Sequence, residues 1–482
     1  MAIADRPEES AAAGIALEPP RTSALAAVGL RLSDWFEKWF PGAFALALAA
    51  VAIVFLANLA AGQSVLDTAE RFGTGFWDLV AFTMQMSLII VTGYAVATAP
   101  LVHRGIRRLA AVPSTGPGAA AFVGLFSMLT SLVSWSFSLI FSALLAREVA
   151  RRVEGSDYRA IGAAAYLGVG SVWALGLSSS AALIMATPAS LPDAIEQISG
   201  VIPLSQTLGL WQSLLVALVL IAVSMAIAFY SAPPKSQARG MKAMGVEDDG
   251  GGAPASASSG KPLEKDRLEK PGDWLEHSPL LTIVVCALGF GFLIRQVAAG
   301  GPSVLLQLNN YVFLFLIVGL LLHWRPKSFM NAITASLVPV GGVLIQYPMY
   351  AGIVRMLTDS GLSQQISHFF VSISNAHTFP AMVGIYSAFL GLFIPSAGGK
   401  WLIEAPYLLE AGKDLGAHLG WVVQTYNATE ALANLIHPFW MLPLVGILGL
   451  KARDIVGYSM LQFAVHVPLV LFLVWILNYT LS

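Results

Sequence analysis

The stretches Ser134-Trp135-Ser136-Phe137-Ser138 and Pro395-Ser396-Ala397-Gly398-Gly399-Lys400 each interrupt a long apolar segment, one in each half of the chain. A bilayer core offers no water to unpaired amides. Non-helical backbone is tolerated there only when it is buried in protein or lines a cavity. Paired breaks in corresponding places of two halves point to the binding site of a transporter.

The composition sets the setting for these breaks. The 482 residues are 56% hydrophobic and 11% charged, too apolar for a soluble chain of this length. Apolar runs of spanning length recur, which predicts an all-α polytopic membrane protein in contact with the lipid bilayer. Without a basic stripe outside short loops, nucleic acid is excluded as a partner. The single cysteine, Cys286, excludes an internal disulfide and a cysteine-based metal site. No metal or organic cofactor is expected.

Working outward, full spans are expected near 42–61, 76–102, 160–187, 204–230, 279–298, 306–323, 330–354, 419–447 and 455–479. The broken segments 118–150 and 379–410 read as re-entrant hairpins. Residues 1–40 lack the apolar core of a cleavable signal and read as a cytosolic N-terminal tail, amphipathic over 30–40. Residues 231–278 are rich in Pro, Gly, Ser and charge and read as a disordered cytosolic linker. With the N-terminus in the cytosol, 22 of the 27 Lys and Arg fall on that side, as the positive-inside rule requires. The C-terminus then lies outside.

The linker separates a first membrane repeat, 41–230, from a connecting span and second repeat, 279–482. Their topologies are opposite. The first hairpin enters from the cytosol and the second from outside. Each is followed by a span with a polar break, Gly176-Leu177-Ser178-Ser179-Ser180 or Asn434-Leu435-Ile436-His437-Pro438. Two inverted repeats with two re-entrant hairpins and two broken transmembrane helices match an elevator-type transporter. Such carriers suggest a homodimer by analogy.

Half-helix N-termini at the breaks present free N–H groups and partial positive charge, which suits a carboxylate. The substrate-binding candidates are Ser134, Trp135, Ser136, Phe137 and Ser138 of the first tip, and Ser178, Ser179 and Ser180 of the first broken span. Ser396, Ala397, Gly398, Gly399, Lys400 and Trp401 of the second tip join them, with Asn434 and His437. The alternative is that the small residues merely pack helices together. Trp135, Phe137 and Trp401 could wall an apolar pocket or serve packing alone. Ionisable residues within spans are functional candidates by default, which makes Glu404, Glu430 and His437 the candidates for coupling to Na⁺ or H⁺. Lys400 stands between two readings, contact with the substrate and a structural pair with Glu404 four residues on. His437 could carry protons or be a hydrogen-bonded structural histidine.

Other chemistry fails on its motifs. Trp401 stands where a phosphate loop needs Ser or Thr, and the 176–180 break lacks the last Gly of a nucleophile elbow. An intramembrane enzyme using Ser178 or Ser396 would lack a base beside either serine. An enzyme is therefore not expected.

At these residues the chain resembles the bacterial short-chain fatty acid transporter family (the AtoE type). The likeness is carried by residues 73–82 (GTGFWDLVAF) with 84–93 (MQMSLIIVTG), by 146–152 (AREVARR), by Ala186-Thr187-Pro188 and by 346–352 (QYPMYAG). Pro395-Ser396 and Pro438-Phe439-Trp440 complete it. The resemblance implies import of short monocarboxylates, such as acetoacetate or butyrate, across the bacterial cytoplasmic membrane. Glu430 and Asn434 match the family pattern. Departures fall at the tips, where Ser134, Ser136 and Ser138 replace Asn, Gly and Gly, Ala397 replaces Gly, and Lys400 takes a place usually held by Gln or His. His437 replaces a Gln. Added hydroxyls and a buried cation would suit a more polar acid, so an exchanger or exporter of polar organic anions is the competing reading.

Overall fold

The computed structural model describes residues 38–39, 43–246, 272–392, 394 and 396–481. Its elements are helical. In the first half these are α1 (Ala43–Ala60), α2 (Val65–Gly75), α3 (Val80–Ala97), α4 (Pro100–Leu109), α5 (Gly116–Val133), α6 (Trp135–Arg152), α7 (Tyr158–Leu167), α8 (Ser180–Ala186), α9 (Asp193–Ser199) and α10 (Trp211–Ser231). The second half has α11 (Asp273–His277), α12 (Leu280–Gly300), α13 (Leu308–His323), α14 (Pro326–Thr358), α15 (Leu362–Ile373), α16 (Phe379–Gly391), α17 (Ala397–Asp414), α18 (Leu419–Asn434), α19 (Pro438–Leu448) and α20 (Ala452–Asn478).

Among the described residues, six helices are long and apolar enough to cross a membrane: Val80–Ala97, Gly116–Val133, Tyr158–Ala186, Trp211–Ser231, Leu280–Gly300 and Ala452–Asn478. Five of them lie on expected spans. The sixth, Gly116–Val133, is the first arm of the expected 118–150 hairpin, so that arm is by itself long and apolar enough to cross. The expected spans at 42–61 and 306–323 are shorter apolar helices, and 330–354 lies within the 33-residue α14.

In both segments expected as hairpins the two arms are in contact. In the first, Ser138 Oγ of α6 donates to the Ser127 carbonyl of α5 at 2.7 Å. In the second, Lys400 Nζ of α17 donates to the Ser387 carbonyl of α16 at 2.6 Å. The N-caps of the second arms also match: Ser134 and Ser396, which start α6 and α17, are both extended, with φ −152° and −147°. Extended geometry is what an N-cap requires.

The first broken span departs from a plain helix over a long stretch. After α7 the chain makes a π turn at Gly168–Val172 and a 3₁₀ turn at Trp173–Leu175 before α8 begins. Two contacts impose this. The Gly168 N–H donates to Ser127 Oγ at 3.0 Å. Leu177 N–H donates to the Leu132 carbonyl at 2.7 Å, and a Cβ on Gly176 would sit 2.2 Å from that same oxygen. The span yields its own ladder to satisfy the end of α5, as π segments at functional sites often do.

Helix α18 is the centre of the molecule. Every residue from Gly420 to Asn434 is buried. Trp421, Ala428 and Leu432 face one apolar core, shared with α5, α6, α7, α10 and α20. Val422, Val423 and Tyr426 face a second, shared with α3, α8, α14 and α17. Two of its buried polar residues are bonded within the helix: Asn427 Nδ2 donates to Gln424 Oε1 at 2.7 Å, and Thr429 Oγ1 donates to the Thr425 carbonyl at 2.8 Å.

The start of the expected disordered linker is ordered. Arg239 N–H donates to Asp157 Oδ2 at 3.1 Å, and its carbonyl accepts from Tyr158 N–H at 2.8 Å. Met241 and Val246 are buried. The strap at 232–246 therefore packs on the start of α7, because Asp157 offers it a second carboxylate oxygen. Helix α11 similarly orders residues near the linker's end. Residues 247–271, most of the N-terminal tail, and Pro395 lie outside the described residues.

Candidate functional site

The first tip is built by serines acting on backbone. Ser134 caps α6, accepting from Phe137 N–H at 3.4 Å. Ser136 Oγ donates to the Ile90 carbonyl of α3 at 2.9 Å, and Ser138 Oγ is committed to Ser127. Ser178 Oγ accepts from Trp135 N–H at 2.6 Å while donating to the Ser131 carbonyl at 2.7 Å. Three of the expected ligands thus have their hydroxyl protons spent inside the protein. Ser179 caps α8 by accepting from Ala182 N–H at 3.1 Å.

The second tip rests on α14. A Cβ on Gly399 would lie 2.1 Å from the Tyr350 ring, and one on Gly398 would lie 2.9 Å from Tyr347 Oη and 3.2 Å from Ser180 Cβ. The two glycines let the tyrosines close on the tip and bring it to the first broken span. Both tyrosine hydroxyls face Ser396. Ala397 offers its carbonyl to Tyr426 Oη of α18 at 2.5 Å.

The two tips meet. Trp135 packs in one apolar cluster with Trp173, Ala174, Ala397 and Ala431, and its ring lies edge-on to Trp440 at 5.6 Å between centroids. Ser134, Ser178, Ser179, Ser180, Ser396-side residue Ala397 and Asn434 are all buried around this junction. Asn434 serves the π segment: its carbonyl accepts from Tyr166 Oη at 2.7 Å, and its Nδ2 donates to Val169 at 3.4 Å. His437 is buried in the break between α18 and α19.

Two expected wall residues point elsewhere. Phe137 stacks on Phe141 at 5.3 Å. Trp401 is fully buried against Tyr426, 4.8 Å between centroids. Of the three aromatics, Trp135 is the one that bridges the tips.

The intramembrane charges form a triad rather than a pair. Lys400 Nζ is 2.6 Å from Glu430 Oε2 and 3.4 Å from Glu404 Oε1. It donates to the Ser387 carbonyl and lies 4.5 Å from the centroid of the Tyr426 ring. Ser387 Oγ in turn meets Glu404 Oε2 at 2.5 Å. All three charged side chains are at most 1% exposed. The Lys400–Glu404 spacing was legible as i,i+4 on a helix. The closer Glu430, from another helix, was not.

Sequence reasoning also passed over Tyr347, Tyr350, Tyr426 and Ser387. The signal for the first two was the 346–352 stretch, which carried the family likeness. Nothing local marked the other two.

The family model for "Short chain fatty acid transporter" matches residues 24–477. A relative from Escherichia coli (strain K12) is 36% identical over 428 residues, covering 89% of this chain and 94% of that protein. One from Haemophilus influenzae is 31% identical over 443 residues, covering 91% and 96%. Both bear the name "Putative short-chain fatty acid transporter". In fold, the chain is similar to the Alcanivorax borkumensis YdaH transporter, described as having an unusual topology, with TM-score 0.60, 14% identity and coverage of 91% and 98%. It is also similar to MtrF of Neisseria gonorrhoeae, with TM-score 0.56, 14% identity and coverage of 92% and 97%. This chain, a multi-pass helical membrane protein, belongs to the short-chain fatty acid transporter family.

Proposed function

We propose that the protein is a secondary active transporter of short-chain monocarboxylates, such as butyrate or acetoacetate, across the bacterial cytoplasmic membrane, with cation coupling. The carboxylate binds where the N-termini of α6 and α17 meet. The observation that carries this reading is Trp135, which packs against Ala397 of the opposite tip while its N–H is held by Ser178. Two helix N-termini brought together through Trp135 and Ala397 present two like-signed dipole ends, an arrangement suited to an anion.

Ser134 and Ser396 supply the hydroxyls, because those of Ser136, Ser138 and Ser178 are engaged by backbone carbonyls. Trp135 covers the apolar tail. The hairpins are re-entrant, the halves are inverted repeats, and the N-terminus lies in the cytosol. Supporting the repeat reading, tip one rests on α3 through Ser136 and tip two rests on α14 through Tyr347 and Tyr350. Those two helices pack together, with Phe82 and Tyr347 ring centroids 5.6 Å apart.

The test is counterflow of radiolabelled butyrate and acetoacetate in proteoliposomes, competed by unlabelled acids and by butyramide. Competition by the acids alone supports the reading. Equal competition by butyramide, or no counterflow above empty liposomes, defeats it.

A further inference from the structure

The triad carries one carboxylate more than its ammonium can neutralise. Lys400, Glu404 and Glu430 would together hold a net negative charge in a place where each is at most 1% exposed. An uncompensated buried charge is costly, and buried groups change protonation to avoid it. We infer that Glu404 and Glu430 share one proton, carried on Glu404, and that this proton is the coupling ion. The inference rests on the transport reading above and deepens it.

Geometry assigns the proton to Glu404. Its carboxylate is the farther from the ammonium, at 3.4 Å against 2.6 Å. Among the described residues, Glu404 Oε1 and Glu430 Oε2 both lack a hydrogen-bond partner, so each leans on the ammonium, and Glu404, at the longer distance, is the less compensated. Its Oε2 is close enough to Ser387 Oγ to exchange donor and acceptor roles with that hydroxyl. Sodium fits poorly here. The ammonium already occupies the space between the carboxylates and has taken the Ser387 carbonyl that a sodium ion would need. A second full positive charge beside it would be repelled.

Among the described residues, the other titratable groups beside the triad are Tyr386 of α16, Tyr407 of α17 and Tyr426 of α18, with Tyr347 of α14 behind Tyr426. They supply hydroxyls and ring faces but no further cation. Tyr426 also links the triad to the tip, with its ring beside Lys400 and its hydroxyl on the Ala397 carbonyl. Lys400 lies one helical turn past Ser396, about 6 Å of rise. Loss of the proton would therefore place net negative charge one turn from the bound carboxylate. Proton and substrate anion are favoured together, which is symport.

Protonation is read first in the protein itself. Infrared difference spectra of the purified full chain in nanodiscs, in H₂O and D₂O, report the carbonyl stretch of a protonated buried carboxyl. Wild type should show this band. Glu404→Gln and Glu430→Gln should lose it, because each leaves one Glu to balance Lys400. Lys400→Gln should about double it. An unchanged band in Glu404→Gln, or no band in wild type, overturns the proposal.

Transport is the second readout. The ratio of acetoacetate uptake under an inward proton gradient to counterflow should exceed one in wild type and fall to one in Glu404→Gln. A sodium gradient substituting for protons in wild type also overturns it. Absence of wild-type counterflow would strike the transport reading instead, and the infrared result would still decide the shared proton.

Discussion

Ser178 Oγ sits between Trp135 N–H, which it accepts at 2.6 Å, and the Ser131 carbonyl, to which it donates at 2.7 Å. One hydroxyl thereby ties the first tip to the broken span that runs behind it. Ser178→Ala leaves a buried N–H and a carbonyl without that partner. Each unsatisfied group costs about 1–3 kcal/mol, so a drop in melting temperature in detergent is expected. A variant as stable as wild type would show that the tip does not depend on this tie.

The close approach at Gly176 has a sharper consequence. A Cβ there would meet Leu132 O at 2.2 Å and its Cα at 2.5 Å, both backbone atoms. Gly176→Ala must move the end of α5 or the break itself, and forcing extra volume into a packed site typically costs about 1–3 kcal/mol, occasionally more. Gly105→Ala, where nothing lies within 4 Å, is the control. Size-exclusion profiles and melting curves of the two should differ plainly.

Much of this was legible. Each tip was marked by small polar residues inside an apolar run, and the same run-and-break pattern located both broken spans. What escaped was long-range. Glu430 lies 30 positions from Lys400, and nothing near either residue states that α18 would press against α17. The serines misled in a particular way. A hydroxyl at a break reads as a ligand, but at Ser136, Ser138 and Ser178 the nearest unsatisfied group was a neighbouring helix's carbonyl. The strap at 232–246 was misread because its composition resembles a linker, whereas its order comes from Asp157, far away in sequence.

That strap can be tested by proteolysis. Asp157 accepts from Arg159 N–H and Ala160 N–H as the cap of α7, pairs with the Arg159 side chain at 2.6 Å, and holds Arg239 N–H. Asp157→Ala should lose about 1 kcal/mol from the cap alone. It should also speed tryptic cleavage after Lys235, Arg239 and Lys242. Cleavage at the wild-type rate would mean that the strap is held by other contacts.

Tyr426→Phe separates the ring from the hydroxyl. The ring stays beside Lys400, while the bond to Ala397 is lost. A net loss of about 0.5–1.5 kcal/mol is expected for one such bond. It should appear as a three- to tenfold weaker substrate affinity in counterflow, with the protein still folded.

The measurement closest to the tip site is butyrate affinity in proteoliposomes for Ser134→Ala, Ser396→Ala and Ser138→Ala side by side. A hydrogen bond to a charged acceptor contributes about 1.5–3 kcal/mol, so Ser134→Ala and Ser396→Ala should each weaken binding by about ten- to a hundredfold with little change in melting temperature. Ser138→Ala, whose hydroxyl serves Ser127, should lower the melting temperature and leave affinity within about threefold. Unchanged affinity in both Ser134→Ala and Ser396→Ala would contradict a carboxylate held between the two tips.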